Sequence, residues 1–428
     1  MRKENSAHFT PLMGISIILT ISILAARFSY AYLDTTHWLI ASVLSWGIAF
    51  ILYKRKVNVF KNFQRQVTLQ CLATYTCILM SGGLITSHQI DNSQKSIQAV
   101  DAKELSSLDK TIIKAQAYRS AISQRMQSLN IKDQDYAVIA AMALGDKTAL
   151  NKDTKDIYSI SGASHVLAVS GLHIGIIFQL FILLLGGKRR SFLTISLSMI
   201  AIWAYVIFIG MPASAVRSAT MISICSFALL AHKEAISLNN LCFAYVIMLF
   251  ATPLYLFDIS FQMSFLAVGS ILLFSPFYKN RPGQNRIYRW AKGMFLMSLA
   301  AQIGTLPLIA YYFGRISCYS LFTGFIAIPA ATFILYLSAV TLFLVPFTFI
   351  PYITIITTPI LHFVASCLVS ITQACNTALK LVTLLPGASI EGIKMNIPQL
   401  CLIYLGIIVG YILLKKVSGL QRKRIFSL

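Results

Sequence analysis

Between Ser161 and Gly175 the chain reads SGASHVLAVSGLHIG, with two histidines, three serines and three glycines at the head of an apolar run. Ser170 and His173 are three residues apart, which is the reach of a serine nucleophile and a histidine base. Side chains three apart on one helix share a face, so such a nucleophile is presented only if the helix breaks there. His165, His173 and a distant Asp258 fit no standard zinc spacing, and no metal or other cofactor is expected. Other polar groups sit inside apolar runs further along. Arg217 follows GMPAS, Asp258 and Gln262 are four apart on one helix face, and Gln302, Thr305 and Pro307 share a later run. Polar groups are costly in lipid and mark cavities or mutual pairing.

The surroundings of these residues are a membrane protein's. The 428 residues are 57% hydrophobic and 12% charged, against roughly 25% charged in a soluble domain. Apolar runs occur at 12–33, 38–53, 67–87, 166–186, 191–210, 213–231, 237–256, 259–278, 293–313, 318–345, 352–375 and 398–414. A run of about 20 residues spans a bilayer as a helix. The expected fold is an all-α polytopic membrane protein of about twelve transmembrane helices, some broken at proline or glycine. The first run is too long for a signal-peptide core and reads as a retained anchor. The eight cysteines fall in the apolar runs without a CxxC pair and read as small core residues. Residues 1–88 form a three-helix membrane segment, 89–135 a short extracytoplasmic polar and helical segment, 136–416 the main membrane domain and 417–428 a basic tail. Within 89–160, residues 112–130 and 135–146 read as helices, the second capped by Gly145.

The net charge of +22 suggests a nucleic-acid partner, but its location has another cause. With the N-terminus inside, 21 of the 36 basic residues fall in cytoplasmic segments, around Arg2, Lys54–Arg65, Lys188–Arg190, Lys233, Lys279–Lys292 and Lys415–Arg424. This is the positive-inside pattern. Segment 89–160 then lies outside, with ten basic and nine acidic residues. The expected location is a bacterial cytoplasmic membrane, with both termini cytoplasmic.

In that topology His165, Ser170, Gly171, His173, Arg217, Asp258, Gln262, Gln302, Thr305 and Pro307 all fall in the outer half of the membrane. Convergence on one leaflet points to an outward-opening polar vestibule. Plainer roles stand beside this: close helix packing at Gly162 and Gly171, an Arg217–Asp258 ion pair, hydrogen-bonded core histidines.

Several stretches then occur in a recognisable order: ALGDK (143–147), YSISGASHVLAVSGLHIG (158–175), MPASAVRSATM (211–221), PLYLFDISFQMSFLAV (253–268), AQIGTLPL (301–308), YFGRIS (312–317) and IAIPA (326–330). Over roughly 136–415 the chain resembles the ComEC-type competence proteins. The resemblance implies an inner-membrane channel for single-stranded DNA in natural transformation. It makes the ten polar residues candidates for the DNA path. Members commonly carry an OB-like domain before the channel and many end in a metallo-β-lactamase-like domain. Residues 89–135 are too short for a full OB barrel, and no HxHxDH pattern occurs. The chain itself is therefore not expected to be an enzyme. A separate nuclease, a DNA receptor and, since no GxxxxGK[ST] pattern is present, a cytoplasmic helicase-like ATPase are the expected partners, besides membrane lipid. A secondary transporter of a small polar or anionic solute is the alternative, and an intramembrane Ser/His hydrolase a third.

Overall fold

The computed structural model describes residues 11–30, 32–54, 63–98, 133–186, 191–230, 237–277, 285–349 and 351–425, with residue 131 and short stretches between 115 and 127. Arg2, Lys3, Arg55, Lys56, Lys61, Lys188–Arg190, Lys233, Lys279, Arg281 and part of the expected helix at 112–130 lie outside the described residues. In chain order the helices are α1 (Pro11–Ser29), α2 (Thr35–Lys54), α3 (Phe63–Gln98), α4 (Asp133–Ala143), α5 (Lys152–Ile160), α6 (Gly171–Leu184), α7 (Phe192–Phe208), α8 (Ala213–Leu230), α9 (Leu238–Ala251), α10 (Ile259–Phe274), α11 (Arg286–Phe313), α12 (Ser320–Leu344), α13 (Pro351–Thr383) and α14 (Ile397–Ile425). Two short strands, β1 (Arg315–Ser317) and β2 (Ser389–Glu391), pair antiparallel.

Every apolar run expected from the sequence lies in one of these helices, but they differ in reach. Among the described residues, eight are long and apolar enough to cross a membrane: α1, α2, α3 and α10 to α14. The apolar helices α6 to α9 are shorter. Some breaks fall at proline and glycine: the short 3-10 turn Pro253–Phe257 and the turn holding Gly210 and Pro212. Another falls at Ser161–Ser170. Pro307, Pro329 and Pro359 lie inside α11, α12 and α13, which continue through them.

The chain forms two compact units, 1–110 with 220–265 and 111–219 with 266–428. In the first, glycines set the packing of α3. A side chain at Gly82 would meet Leu19 and Ser22 at 2.8 Å, and one at Gly83 would meet the Trp38 ring at 2.2 Å. Leu19, Ile23, Met248, Leu249, Phe261 and Phe265 form its core, and the hydroxyls of Thr20 and Tyr245 join α1 to α9 at 2.8 Å.

The second unit is organised around α4. It lies in segment 89–160, which the expected topology puts outside, and at the start of the main membrane domain expected from residue 136. Yet α4 is apolar on every side, and Ala137–Met142 are completely buried. They pack with Ala327, Ala331 and Ile334 of α12 and Leu361, Val364, Ala365 and Leu368 of α13. A helix hydrophobic all round belongs in a core. Its polar start faces the other way: the carboxylate of Asp135 accepts from Gln373 (2.7 Å) and Asn376 (3.3 Å), and Tyr158 donates to Asn376 (2.8 Å).

The strand pair, which the sequence did not signal, ties the ends of α11 and α13 together. Arg315 lies opposite Glu391 and pairs with it at 2.9 Å, while also donating to the Ser159 hydroxyl at 2.9 Å. Cys318, expected in a span, is exposed in the turn before α12. Gly162 packs onto this turn. Its φ is +83°, and an added Cβ would stand 2.5 Å from that of Ser320. Gly162→Ala therefore combines left-handed strain with a backbone-level clash and should cost at least about 2 kcal/mol. Gly186→Ala has similar φ (+90°) but open space around it. Thermal unfolding in detergent should show a clearly larger drop in Tm for Gly162→Ala. Equal drops in both variants would disprove the tight contact.

Candidate functional site

Ser170 ends the irregular stretch 161–170. Its backbone is extended (φ −123°, ψ 177°) and it caps α6. The break that a presented serine requires is thus present. The Ser170 hydroxyl lies 3.0 Å from His173 Nδ1, and the Ser170 N–H points to the same nitrogen at 3.4 Å. An N–H can only donate, so Nδ1 is the acceptor and the ring proton sits on Nε2. That Nε2 is enclosed without a hydrogen bond of good geometry, although the Val166 backbone faces the ring. His173 is completely buried. A histidine acting as base becomes an imidazolium, and nothing in this enclosure balances the charge. The pair has the geometry of a reciprocal helix cap.

The N-terminal ends of α6 and α8 meet here. The Ser214 hydroxyl donates to the Val169 carbonyl at 2.6 Å, and Ser218 donates back along α8 to the Ser214 carbonyl. A side chain on Gly171 would stand 3.0 Å from the Ser218 hydroxyl. Two helix C-terminal ends join them. α4 turns off at Leu144 and Gly145 (φ +70°), close against Val169 and Ile209. α7 turns off at Gly210 (φ +88°) and Met211 (φ +52°). A non-glycine residue in this conformation is strained, and here the chain passes from α7 into α8 in four residues, Ile209 to Pro212. The Tyr205 hydroxyl donates to the Ala143 carbonyl at 2.8 Å, linking α7 to α4.

Four helix ends therefore share one place. α6 and α7 have 14 and 17 residues, about 21 and 26 Å at 1.5 Å per residue. Both fall short of a hydrocarbon core of about 30 Å. Helix N-termini carry partial positive charge and favour anions. Arg217, one turn into α8 and 1% exposed, adds a permanent charge beside this place.

The structure brings together Ser170, Gly171, His173 and the first turns of α8, with Arg217. His165 lies exposed on a short 3-10 turn, its Nδ1 3.1 Å from the Gly162 carbonyl and near enough for its charge to act on His173. Gln302, Thr305 and Pro307 share α11. Thr305 donates to the Ala301 carbonyl (2.9 Å), and the Tyr404 hydroxyl donates to the neighbouring Gly304 carbonyl (2.9 Å). Asp258 and Gln262 belong to the first unit. Asp258 caps α10 by accepting from the N–H groups of Ser260 (2.7 Å) and Phe261 (3.1 Å), and Gln262 donates to the Leu256 carbonyl (2.8 Å). His173 and Arg217 are enclosed rather than lining an open passage. Among the described residues no three His, Cys, Asp or Glu side chains gather as a metal site.

Sequence reasoning passed over Tyr205 and Met211. The Gly-Met-Pro run at 210–212 was a signal for a sharp turn, but nothing in the chain marked the strain on Met211. If Ser170 is a cap, Ser170→Ala should cost about 1 kcal/mol, and cellular activity should fall only in proportion to protein level. Loss of activity by orders of magnitude at normal level would show Ser170 to be a nucleophile instead.

Comparison with known proteins bears on the same residues. No solved structure matches the chain. ComE operon protein 3 of Bacillus subtilis is 29% identical over 201 residues, covering 46% of this chain and 25% of that protein. Recombination protein 2 of Haemophilus influenzae is 25% identical over 246 residues, 53% of this chain and 31% of its own. An uncharacterized protein of Aquifex aeolicus is 31% identical over 186 residues, 42% of each. The chain thus spans well under half the length of these relatives. The Competence protein family matches residues 142–417, which include both ends of the α6–α8 junction and all ten candidate residues. The chain belongs to the competence-protein family.

Proposed function

We propose that this chain is a channel in the bacterial cytoplasmic membrane that passes single-stranded DNA inward during natural transformation. Family membership supports the process. The observation that carries the channel reading is the junction of four helix ends below the outer surface, where two N-termini and Arg217 offer positive potential to a phosphate backbone. A strand in transit needs weak and repeated contacts, and helix ends supply them without a tight site. Ser170, Gly171 and His173 form the floor of this entrance. With His173 and Arg217 enclosed, the strand enters after α6 and α8 separate at the Gly171–Ser218 contact.

Twelve crossings with both termini cytoplasmic fit the contacts of the second unit. Strand β1 pairs with β2, so α12 and α13 cross and return. Val169 meets Ser214, so α6 and α7 do the same. Arg315 holds Ser159, which puts α5 at the end that carries the strand pair. The reading includes no catalysis by this chain. Strand degradation and the inward pull fall to a separate nuclease and a cytoplasmic ATPase, with a DNA receptor upstream. A second reading, a transporter of a small anionic solute, is favoured by one feature: discontinuous helices with facing ends are also how secondary transporters hold anions.

Deleting the gene should abolish delivery of labelled DNA to the cytoplasm while DNA binding at the cell surface persists. Unchanged delivery would reject the channel reading. For the topology, a membrane-impermeant maleimide should label exposed Cys318 in intact cells. Protection of Cys318 until the cells are opened would reverse the orientation.

A further inference from the structure

One group at the junction comes from outside the family-matched residues. The Arg119 guanidinium places Nη1 3.3 Å from the Leu144 carbonyl and 3.3 Å from the Ile209 carbonyl. These two carbonyls end α4 and α7. Gln116, one turn earlier, has its amide nitrogen 3.9 Å from where a Cβ on Gly210 would be. Arg119 is half-buried, and Asp146 lies near enough for the two charges to interact. Its carboxylate accepts the Thr148 hydroxyl at 2.6 Å and the Thr148 N–H at 3.0 Å. These bonds chiefly hold it below the usual carboxylate range, with Arg119's charge a lesser cause.

Electrostatics give this contact a consequence beyond holding two loops together. Each helix end carries roughly half an elementary charge, positive at the N-terminus and negative at the C-terminus. Two N-ends and two C-ends at one junction therefore cancel. A guanidinium on the two C-ends removes the negative half of that sum. It is suited to the task because it is planar, always charged and rich in donors.

We propose that Arg119 is a positioning residue of the entrance: from the segment before the family domain it neutralises the C-terminal ends of α4 and α7, so that the N-terminal ends of α6 and α8 set a positive potential at the junction. The link to DNA entry rests on the channel reading. The local potential does not, and it can be measured without DNA.

The test uses the full-length protein in intact cells, with Cys318→Ser to silence that exposed thiol. A reporter cysteine is placed at Met211→Cys, half-buried beside Gly210, or at exposed Lys147→Cys, two residues past Gly145. Each is treated with a negatively charged and a positively charged thiol reagent, and the ratio of the two modification rates is taken. With Arg119 intact the negative reagent should react faster. Arg119→Met, similar in bulk but uncharged, should lower the ratio by about tenfold, and Arg119→Lys should retain most of it. Labelled-DNA delivery is measured in the same strains at matched protein level. A ratio that follows charge while delivery stays unchanged would uphold the potential and sink its link to DNA. Both rates changing in parallel in Arg119→Met, with the ratio constant, would make Arg119 a mechanical clasp and overturn the proposal. So would two reporters inert to both reagents, since the junction would then not open outward.

Discussion

A helix that ends inside a bilayer leaves up to four backbone groups without partners, and hydrocarbon offers none. The second unit is built around that constraint. α4 and α7 finish, and α6 and α8 start, at one place. Left alone, each end would be prohibitively costly. Gathered together, they satisfy one another: Ser214 takes the Val169 carbonyl, Tyr205 the Ala143 carbonyl, Arg119 those of Leu144 and Ile209, and Ser170 exchanges hydrogen bonds with His173. The four-residue turn through Gly210 and Met211 is part of this solution, and the strain at Met211 is the energy spent to keep α8 starting where α7 stops.

Close approach is the second requirement, and it explains the small residues that first drew notice. Gly171 lets the N-end of α6 touch Ser218, and Gly162 lets the preceding loop rest on Ser317 and Ser320. On α11, Gly304 brings the helix against Leu266 and Ser270 of α10, one turn before Pro307. Pro307 has no N–H for the Ile303 carbonyl, and the hydroxyl of Tyr404 arrives at the adjacent Gly304 carbonyl. Glycine and polar groups thus occur as sets.

Much of this was legible in the chain. Long apolar runs need only count and length, so the apolar helices were legible as runs. What escaped has physical reasons. α4 lies in a segment with polar flanks, Asp133–Asp135 and Asp146–Lys147, and its burial against α12 and α13 depends on residues far along the chain. Strands of three residues separated by more than seventy positions carry no periodicity to detect. The role of Arg119 depends on Leu144 and Ile209, which lie 25 and 90 residues away, and one arginine in a mixed-charge segment looks like any other. Asp258, an acid at the start of a span, drew a functional reading, and its carboxylate caps α10, as a Ser, Asp or Asn in that place ordinarily does.

The same contacts that satisfy the backbone also close the path. Separating α6 from α8 at Gly171 and Ser218 would release the Val169 carbonyl from Ser214 and open His173 and Arg217 to whatever enters. In lipid that release would cost the full desolvation of each group. On the channel reading proposed above, the cost falls before a hydrated polyanion, because water can donate to the freed Val169 carbonyl and phosphate oxygens can accept from the Ser214 hydroxyl and surround the guanidinium. On that reading the entrance would stay shut when empty and loosen when a charged, hydrated strand is present. The coupling needs no separate gate, because the ends of the broken helices are themselves the groups that a phosphate backbone would bind.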